Sequence, residues 1–321
     1  MEAGLVLGER RRAAAGPETR VAGQTAGANL ILTVRHRTAY RYARAVSFGE
    51  HRLMFRPRDS HDLRLLDTAL AISPAASVRW LHDVFGNSVA LARFTEPAAT
   101  LTFESTFRVQ HYPLAPQQIE LEPYARRYPF RYPDEEIPDL GGAADRHYPD
   151  SEGRVTAWAQ SFLDADGTAD TMDLLMRMNR RIREQFAYTR RGETGTRPPA
   201  RTLELGSGTC RDYALLMMEA VRSLGLAARF VSGYLYDESL VAGRERLVGG
   251  GETHAWLQVY LPGAGWVEFD PTNALVAGRN LIRVAVARDP SQAVPLSGSY
   301  FGAPEDCLGM DVDVAVTAEP G

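Results

Sequence analysis

The stretch "GSGTCRDYALLMMEA", residues 206–220, places a cysteine between a glycine-containing turn and an apolar run. Thr209 is a typical helix N-cap, so the pattern predicts a buried helix over about 210–224 that starts at Cys210 and that Gly225 ends. The sulfur would then lie near the positive end of the helix dipole, which favours thiolate over thiol. The small residues of "GSG" would leave room for a substrate backbone. Taken alone, Cys210 is equally well explained as a small buried apolar residue.

The stretch "GGGETHAWLQVYLPGAGWVEFDPTN", residues 249–273, offers a base and an acid for that sulfur. His254 opens a predicted strand after a glycine-rich loop, Asp270 ends the next strand, and "PGAG" between the strands predicts a hairpin. The centre of this turn would put His254 opposite a residue near 273, with Asp270 in reach through a small register offset. A carboxylate there would hold the imidazole in the tautomer that faces the thiol.

The remaining sequence predicts an α+β protein with an N-terminal antiparallel β-sandwich, followed by helices packed on a second antiparallel sheet. Short segments in which apolar and polar residues alternate, separated by frequent turn residues, dominate the first part, and "FGN" at 85–87 predicts a hairpin turn. An amphipathic helix repeats Leu174, Met178, Ile182 and Phe186 behind a Thr/Asp cap. The predicted divisions are a disordered leader at 1–28, a β-rich domain at 29–115, a connecting segment at 116–167 and a catalytic core at 168–321.

Composition narrows the possible functions. The chain has 321 residues, 45% of them hydrophobic, with a net charge of −4 and a pI near 6.0. These values give no basic surface for nucleic acid, and the sequence contains no apolar run long enough to span a membrane and no secretory signal. We therefore expect a cytoplasmic protein that binds neither nucleic acid nor membrane. The two cysteines, Cys210 and Cys307, are expected to be free thiols.

Several residues near the three candidates admit a structural explanation. Asp212 follows the cysteine closely enough to complement the helix dipole in the first turn, which is the interpretation we favour. Trp256 would either shield the imidazole and thiolate from water or belong to the core. Arg211 would meet a substrate carboxylate or solvent. The other histidines have no metal-ligand spacing, so we expect neither a metal nor a cofactor.

Three motifs resemble the signature blocks of the transglutaminase-like cysteine enzyme superfamily. They are Gly-Thr-Cys-Arg-Asp at 208–212, Thr-His-Ala-Trp at 253–256 and Glu-Phe-Asp-Pro-Thr-Asn at 268–273. The N-terminal run resembles the β-rich leading domain of the bacterial members, and "RDPSQAVPLSGSYFG" at 288–302 resembles their C-terminal signature. The resemblance extends over most of the chain from about residue 30 to 302, and it implies a papain-like core.

The resemblance also implies a mechanism in which Cys210 attacks a carboxamide or peptide carbonyl, His254 transfers protons and Asp270 orients His254. A thioester forms, and water or an amine resolves it. The Cys210 backbone N–H would be one oxyanion donor, and Tyr188 is a candidate for the second. We therefore expect a cysteine protease or amidase acting on a peptide or protein. The alternatives are a protein-glutamine transglutaminase and a non-catalytic peptide-binding scaffold; the oligomeric state is left open.

Overall fold

A computed structural model describes residues 30–112, 118–190, 195–237, 247–249, 252–278 and 280–320. The predicted leader at 1–28 lies outside these residues. Within the described ranges, no helix combines the length and the hydropathy needed to cross a bilayer.

The N-terminal region is the predicted antiparallel sandwich. One sheet has the order β17 (Tyr300–Phe301), β1 (Leu30–Phe48), β6 (Ala98–His111) and β3 (Leu63–Ser73), with β18 (Cys307–Pro320) also paired to β1. The other sheet has the order β16 (Leu296–Ser297), β2 (His51–Leu53), β5 (Ser88–Phe94) and β4 (Ala76–His82). Buried side chains from both sheets, including Phe48 and Phe103 from one and Leu53 from the other, form one apolar cluster between them. The strands contributed by this region are β1 (Leu30–Phe48), β2 (His51–Leu53), β3 (Leu63–Ser73), β4 (Ala76–His82), β5 (Ser88–Phe94) and β6 (Ala98–His111).

The predicted "FGN" turn joins β4 to β5, and Gly86 adopts a left-handed φ of 72° there. This turn contacts the five-stranded sheet that follows the sandwich in the chain, at Val286. The buried Asn87 side chain donates to the Val286 carbonyl at 2.7 Å and accepts from the Val286 N–H at 2.9 Å. The sandwich is thereby fixed against an edge of the sheet that carries the candidate site.

A five-stranded antiparallel sheet with the order β14-β13-β12-β11-β15 forms the second layer. Helix α5 packs on one face of it, and the predicted C-terminal arrangement of helices on an antiparallel sheet is thus confirmed. The elements of this part are β7 (Arg127–Tyr128), α1 (Ile137–Leu140), α2 (Arg154–Gln160), β8 (Ala169–Asp170), α3 (Thr171–Gln185), β9 (Ala187–Tyr188), α4 (Pro199–Leu205), β10 (Ser207–Gly208), α5 (Cys210–Ser223), β11 (Ala228–Leu235), β12 (Thr253–Leu261), β13 (Gly265–Asp270), β14 (Leu275–Val276) and β15 (Leu281–Ala287).

The amphipathic pattern behind the Thr/Asp cap forms α3, as predicted. The Asp170 side chain accepts the backbone N–H of Asp173 at 2.9 Å, which satisfies one of the free donors at the start of the helix. Leu174, Met178 and Ile182 are fully buried against the core that α5 shares. This packing fixes the position of the chain that leads into β9, beside the candidate cysteine.

The end of the chain returns to the N-terminal sandwich. Three further strands, β16 (Leu296–Ser297), β17 (Tyr300–Phe301) and β18 (Cys307–Pro320), pair with β2 and β1. The segment 168–321 assigned to the core on sequence therefore includes strands that lie in the other region. Val314 of β18 packs with Leu32 and Val34 of β1 in a buried cluster, and an alternating strand pattern does not indicate which sheet edge the strand will join.

Candidate active site

Cys210 is the first residue of α5, as predicted, and a capping box fixes this helix start. The Thr209 side chain accepts the backbone N–H of Asp212, while the Asp212 carboxylate accepts the Thr209 N–H at 2.9 Å. Asp212 is fully buried and also accepts the Arg197 N–H at 2.7 Å. The interpretation of Asp212 as a residue that stabilises the helix start is confirmed in this form.

The residues before the cysteine form a short strand that carries a candidate partner of the thiol. β10 pairs in parallel with β9, so Gly208 lies beside Tyr188. The Tyr188 hydroxyl is a hydrogen-bond neighbour of the Cys210 thiol. Two causes raise the pKa of Tyr188: burial is the larger, and the negative charge of an ionised Cys210 thiol is the second. A Cβ on Gly208 would lie 2.9 Å from the Asp212 Cβ. Glycine is therefore required at this position for packing against the cap, a role that the sequence analysis did not assign to it.

His254 and Asp270 meet as predicted. His254 Nε2 lies 2.8 Å from Asp270 Oδ2, and both side chains are completely buried. Asp270 also accepts the Thr272 N–H through Oδ1 at 2.9 Å. The ring nitrogen left over is Nδ1, which has no hydrogen-bond partner within the described residues. Because Asp270 occupies Nε2, Nδ1 is the nitrogen available to the thiol.

The strand register differs from the predicted one by a single position. Leu257 pairs with Phe269 and Leu261 with Gly265, whereas Asp270 itself pairs with Leu275 of β14. Extending the β12–β13 ladder by one pair would place Asp270 opposite Trp256, two residues from His254 on the same strand face. The carboxylate thus reaches the imidazole along a diagonal, not straight across.

The charges at the site favour a protonated imidazole. Burial lowers the pKa of His254, but the neighbouring Asp270 carboxylate and the Cys210 thiol outweigh burial and raise this pKa to about 10. An imidazolium beside the sulfur stabilises the thiolate form, which is the nucleophilic form of cysteine. Cys210 is 8% exposed and His254 is 1% exposed, so both groups are shielded from bulk water.

Two residues with open interpretations now have defined surroundings. Trp256 is fully buried and stacks on His254, with ring centroids 5.9 Å apart, so it both belongs to the core and covers one face of the imidazole. Arg211 donates to the Pro290 carbonyl at 2.7 Å and lies over the Phe230 ring. Arg211 therefore joins the start of α5 to the 288–302 segment. These contacts are with the protein itself, whereas the sequence had suggested solvent or a substrate carboxylate as the partner of Arg211.

Asn273, for which the sequence indicated no role, contacts the candidate triad directly. The Asn273 side-chain amide donates to Asp270 Oδ2 at 2.8 Å and to the Val248 carbonyl at 3.1 Å, and its oxygen accepts the Val248 N–H at 2.8 Å. The available signal was its place in the turn after Asp270, because Asn side chains commonly hydrogen-bond to nearby backbone in turns. Of the predicted glycine loop 249–251, only Gly249 is within the described residues, and it lies against the imidazole.

Among the residues that the structure describes, no group of three or more His, Cys, Asp or Glu side chains is arranged to hold a metal ion. Cys210 is buried, Cys307 is exposed, and both are free thiols.

Two family models match this chain. Residues 32–110 match the bacterial transglutaminase-like N-terminal region, and residues 153–271 match the transglutaminase-like superfamily. The second range includes all three candidate residues.

Relatives of this chain were found both by sequence and by structure. An uncharacterized protein of Mycobacterium tuberculosis is 30% identical over 297 residues, which cover 89% of this chain and 92% of the relative. The protein-glutamine gamma-glutamyltransferase of Pseudomonas aeruginosa is 30% identical over 174 residues, which cover 52% of this chain and 23% of that enzyme. Among solved structures, a candidate cysteine protease of Cytophaga hutchinsonii has a TM-score of 0.66 at 17% identity, covering 90% of this chain and 91% of the other. This last likeness shows a common fold.

Proposed function

The chain belongs to the transglutaminase-like superfamily, and from that premise we propose that it is a cysteine-dependent acyl-transfer enzyme acting on peptide or carboxamide bonds. The observation that carries the proposal is the buried His254–Asp270 pair beside a cysteine at a capped helix start. Nucleophile, base and orienting acid are the three parts that thiolate chemistry needs.

In the proposed reaction the Cys210 thiolate attacks the substrate carbonyl carbon. The carbonyl oxygen becomes an oxyanion, for which the Cys210 backbone N–H and the Tyr188 hydroxyl are the proposed donors. The His254 imidazolium then protonates the leaving amine, the C–N bond breaks and a thioester remains on Cys210. Water attacks the thioester, its proton passes to His254, and the carboxylic acid product leaves with the thiolate restored.

Hydrolysis is our first candidate, so that the enzyme would be a protease or amidase with a peptide or protein substrate. Amine transfer is the second candidate, because the Pseudomonas relative is named as a protein-glutamine gamma-glutamyltransferase. In that case an amine resolves the thioester and forms a new amide. The chain spans only 23% of that enzyme, so its activity enters here as a proposal. Retention of all three candidate residues argues against a purely peptide-binding scaffold.

A cytoplasmic location also remains a proposal. Its support is the pair of free thiols at Cys210 and Cys307. Cell fractionation with an antibody to the protein would test it, and recovery with the periplasmic or membrane fraction would contradict it.

Peptide and glutamine-peptide libraries, incubated with and without a fluorescent primary amine, test the proposed reaction. We expect cleaved or deamidated products that form without the amine and disappear in Cys210→Ala. Preferential incorporation of the amine would establish transfer instead. Absence of any product in both arms, together with no acyl adduct on Cys210 by mass spectrometry, would defeat the enzymatic proposal.

A further inference from the structure

We propose that Asn273 and Gly249 are positioning residues that hold His254 in place for Cys210 through a short segment, residues 247–249, which we call the strap. This inference rests on the proposed function, because it assigns a role in the same reaction. It concerns residues outside the Cys210, His254 and Asp270 set.

Asn273 joins the strap to the acid of the proposed triad. One amide group donates to Asp270 Oδ2, the same oxygen that contacts His254 Nε2, and also to the Val248 carbonyl. The amide oxygen accepts the Val248 N–H at 2.8 Å. The Asn273 side chain thus fixes the carboxylate and the backbone of the strap relative to each other, which no single-contact residue at this position would do.

Gly249 brings the strap against the imidazole. A Cβ on Gly249 would lie 2.8 Å from His254 Nδ1 and 3.4 Å from Cε1, and the φ angle of this residue is +93°. A separation below 3.0 Å is too short for a carbon, so any side chain would push either the ring or the strap away. Nδ1 is the nitrogen left for the thiol, and the backbone of the strap covers it closely.

These contacts confine the imidazole on several sides. Asp270 holds Nε2, Trp256 stacks on the ring, and the strap lies against the Nδ1 edge. Such confinement matters because a displacement of about 1 Å in a reacting group lowers a rate by on the order of 10²-fold. The strap therefore acts on the thiol through His254 and has no direct role in bond making.

The chain offers a matched control for Gly249. Gly278 has nearly the same backbone conformation, with φ at +97°, but a Cβ there would meet nothing within 4 Å. Gly249→Ala and Gly278→Ala therefore both place a side chain at a positive φ, and only the first brings that side chain against His254. In a Cys307→Ser background, we expect Gly249→Ala to slow iodoacetamide labelling of Cys210 by on the order of 10²-fold, and Gly278→Ala to leave the labelling rate within about twofold of the parent protein.

A second pair of variants keeps the test valid if Gly249→Ala fails to fold. Asn280, like Asn273, donates its side-chain amide to a backbone carbonyl at a strand end, that of Tyr236 at 2.8 Å, and it makes no contact with Asp270. We expect Asn273→Ala to slow labelling at least about tenfold and to weaken its dependence on pH, and Asn280→Ala to lower stability alone. Urea denaturation of each variant separates lost stability from lost reactivity.

The outcomes distinguish this inference from the proposed function. If Cys210 labels rapidly in the parent protein and both members of each pair label alike, the strap has only a structural role and this inference is wrong. If Cys210 in the parent protein labels slowly and without dependence on His254, the proposed function fails and this inference fails with it. If Gly249→Ala and Asn273→Ala slow the labelling of Cys210 and their control variants do not, the result supports both the role of the strap and the proposed function.

Discussion

Two polar networks each include residues of the same pair of strands, β12 and β13, and they differ in the partners of their buried atoms. The docking network consists of Asp62, Gln258, Glu268 and Arg283, and the site network consists of His254, Asp270 and Asn273. In the docking network Arg283 donates to Glu268 at 3.0 Å and to both Asp62 oxygens at 3.1 Å, and Gln258 donates to Glu268 at 3.1 Å. No buried side-chain nitrogen or oxygen of this network lacks a partner in the described part of the chain.

In the site network His254 Nδ1 has no nitrogen or oxygen partner in the described part of the chain, and the Cys210 thiol is its neighbour. An unsatisfied buried polar atom costs stability, so its presence in a folded protein calls for an explanation such as catalysis. The docking network connects Asp62 of the sandwich to the second sheet, and the Arg283 guanidinium lies within salt-bridge distance of both of its carboxylates. In this pair of networks, the one proposed to be reactive contains a buried ring nitrogen that faces a thiol and has no nitrogen or oxygen partner in the described part of the chain.

The largest difference between the two networks should appear on removing His254. We expect His254→Ala to lower turnover by on the order of 10⁴-fold, because the thiolate loses its counterion and the leaving amine loses its proton donor. Turnover of the best library substrate measures this. Retained activity within about tenfold would remove the site network from the mechanism.

Substitutions in the docking network should lower the free energy of unfolding and leave the reactivity of Cys210 unchanged. Arg283→Ala leaves the half-buried Glu268 carboxylate without its cation, and we expect a loss of about 2 kcal/mol in the free energy of unfolding. Adding Glu268→Gln to the same chain removes the stranded charge and should restore part of the loss. Urea unfolding measures both, while Cys210 labelling of the folded protein should stay unchanged. A large fall in labelling would mean that the two networks are not separable.

The pH dependence of stability should separate the networks in a third way. The pKa of His254 is raised in the folded protein to about 10 from 6.5, so its charged form contributes stability that is fully present below the unfolded pKa and is lost as pH rises through the folded pKa. In a Cys210→Ser background, where the thiol proton no longer enters the balance, we expect stability to fall between these values by up to about 1.4 kcal/mol per pH unit. Urea unfolding of Cys210→Ser with and without His254→Ala checks this, since the double variant should show a flatter profile. Equal slopes would contradict the assignment.

The smallest loss of stability is expected at the "FGN" turn, where Asn87 joins the sandwich to the five-stranded sheet through Val286. Asn87→Ala leaves the Val286 N–H and C=O without their buried partner, and we expect a loss of about 1–2 kcal/mol in unfolding free energy. Ser77→Ala, which removes an exposed 3.5 Å contact to the Arg93 carbonyl, is the control and should be nearly neutral. Thermal unfolding of the two variants measures the difference. Comparable losses in both would show that the turn does not fix the sheets.

The sequence predicts those parts of the site that depend on local chemistry. Thr209 and Asp212 encode the helix start that places Cys210, and the "PGAG" hairpin brings His254 near Asp270. The register was one residue off, because Gly265 already pairs with Leu261 and the loop therefore consists of residues 262–264, not of all four residues of "PGAG".

Contacts between segments distant in the chain were out of reach of the sequence analysis. Nothing in the composition of the strap indicates that Val248 would bind Asn273, or that Gly249 would lie against the imidazole. The return of β18 to β1 likewise depends on which apolar edge is open after the sandwich has formed. Such pairings are decided by tertiary packing, for which local patterns carry little information.

The most direct test of the account compares the two thiols of this chain within one experiment. Iodoacetamide labelling from about pH 5 to pH 9, followed by mass spectrometry, reports Cys210 and Cys307 separately. We predict that buried Cys210 labels faster than exposed Cys307 below about pH 7 and that His254→Ala abolishes this advantage. Faster labelling of Cys307 at every pH, with no effect of His254→Ala on Cys210, would contradict the claim that the imidazole activates this sulfur.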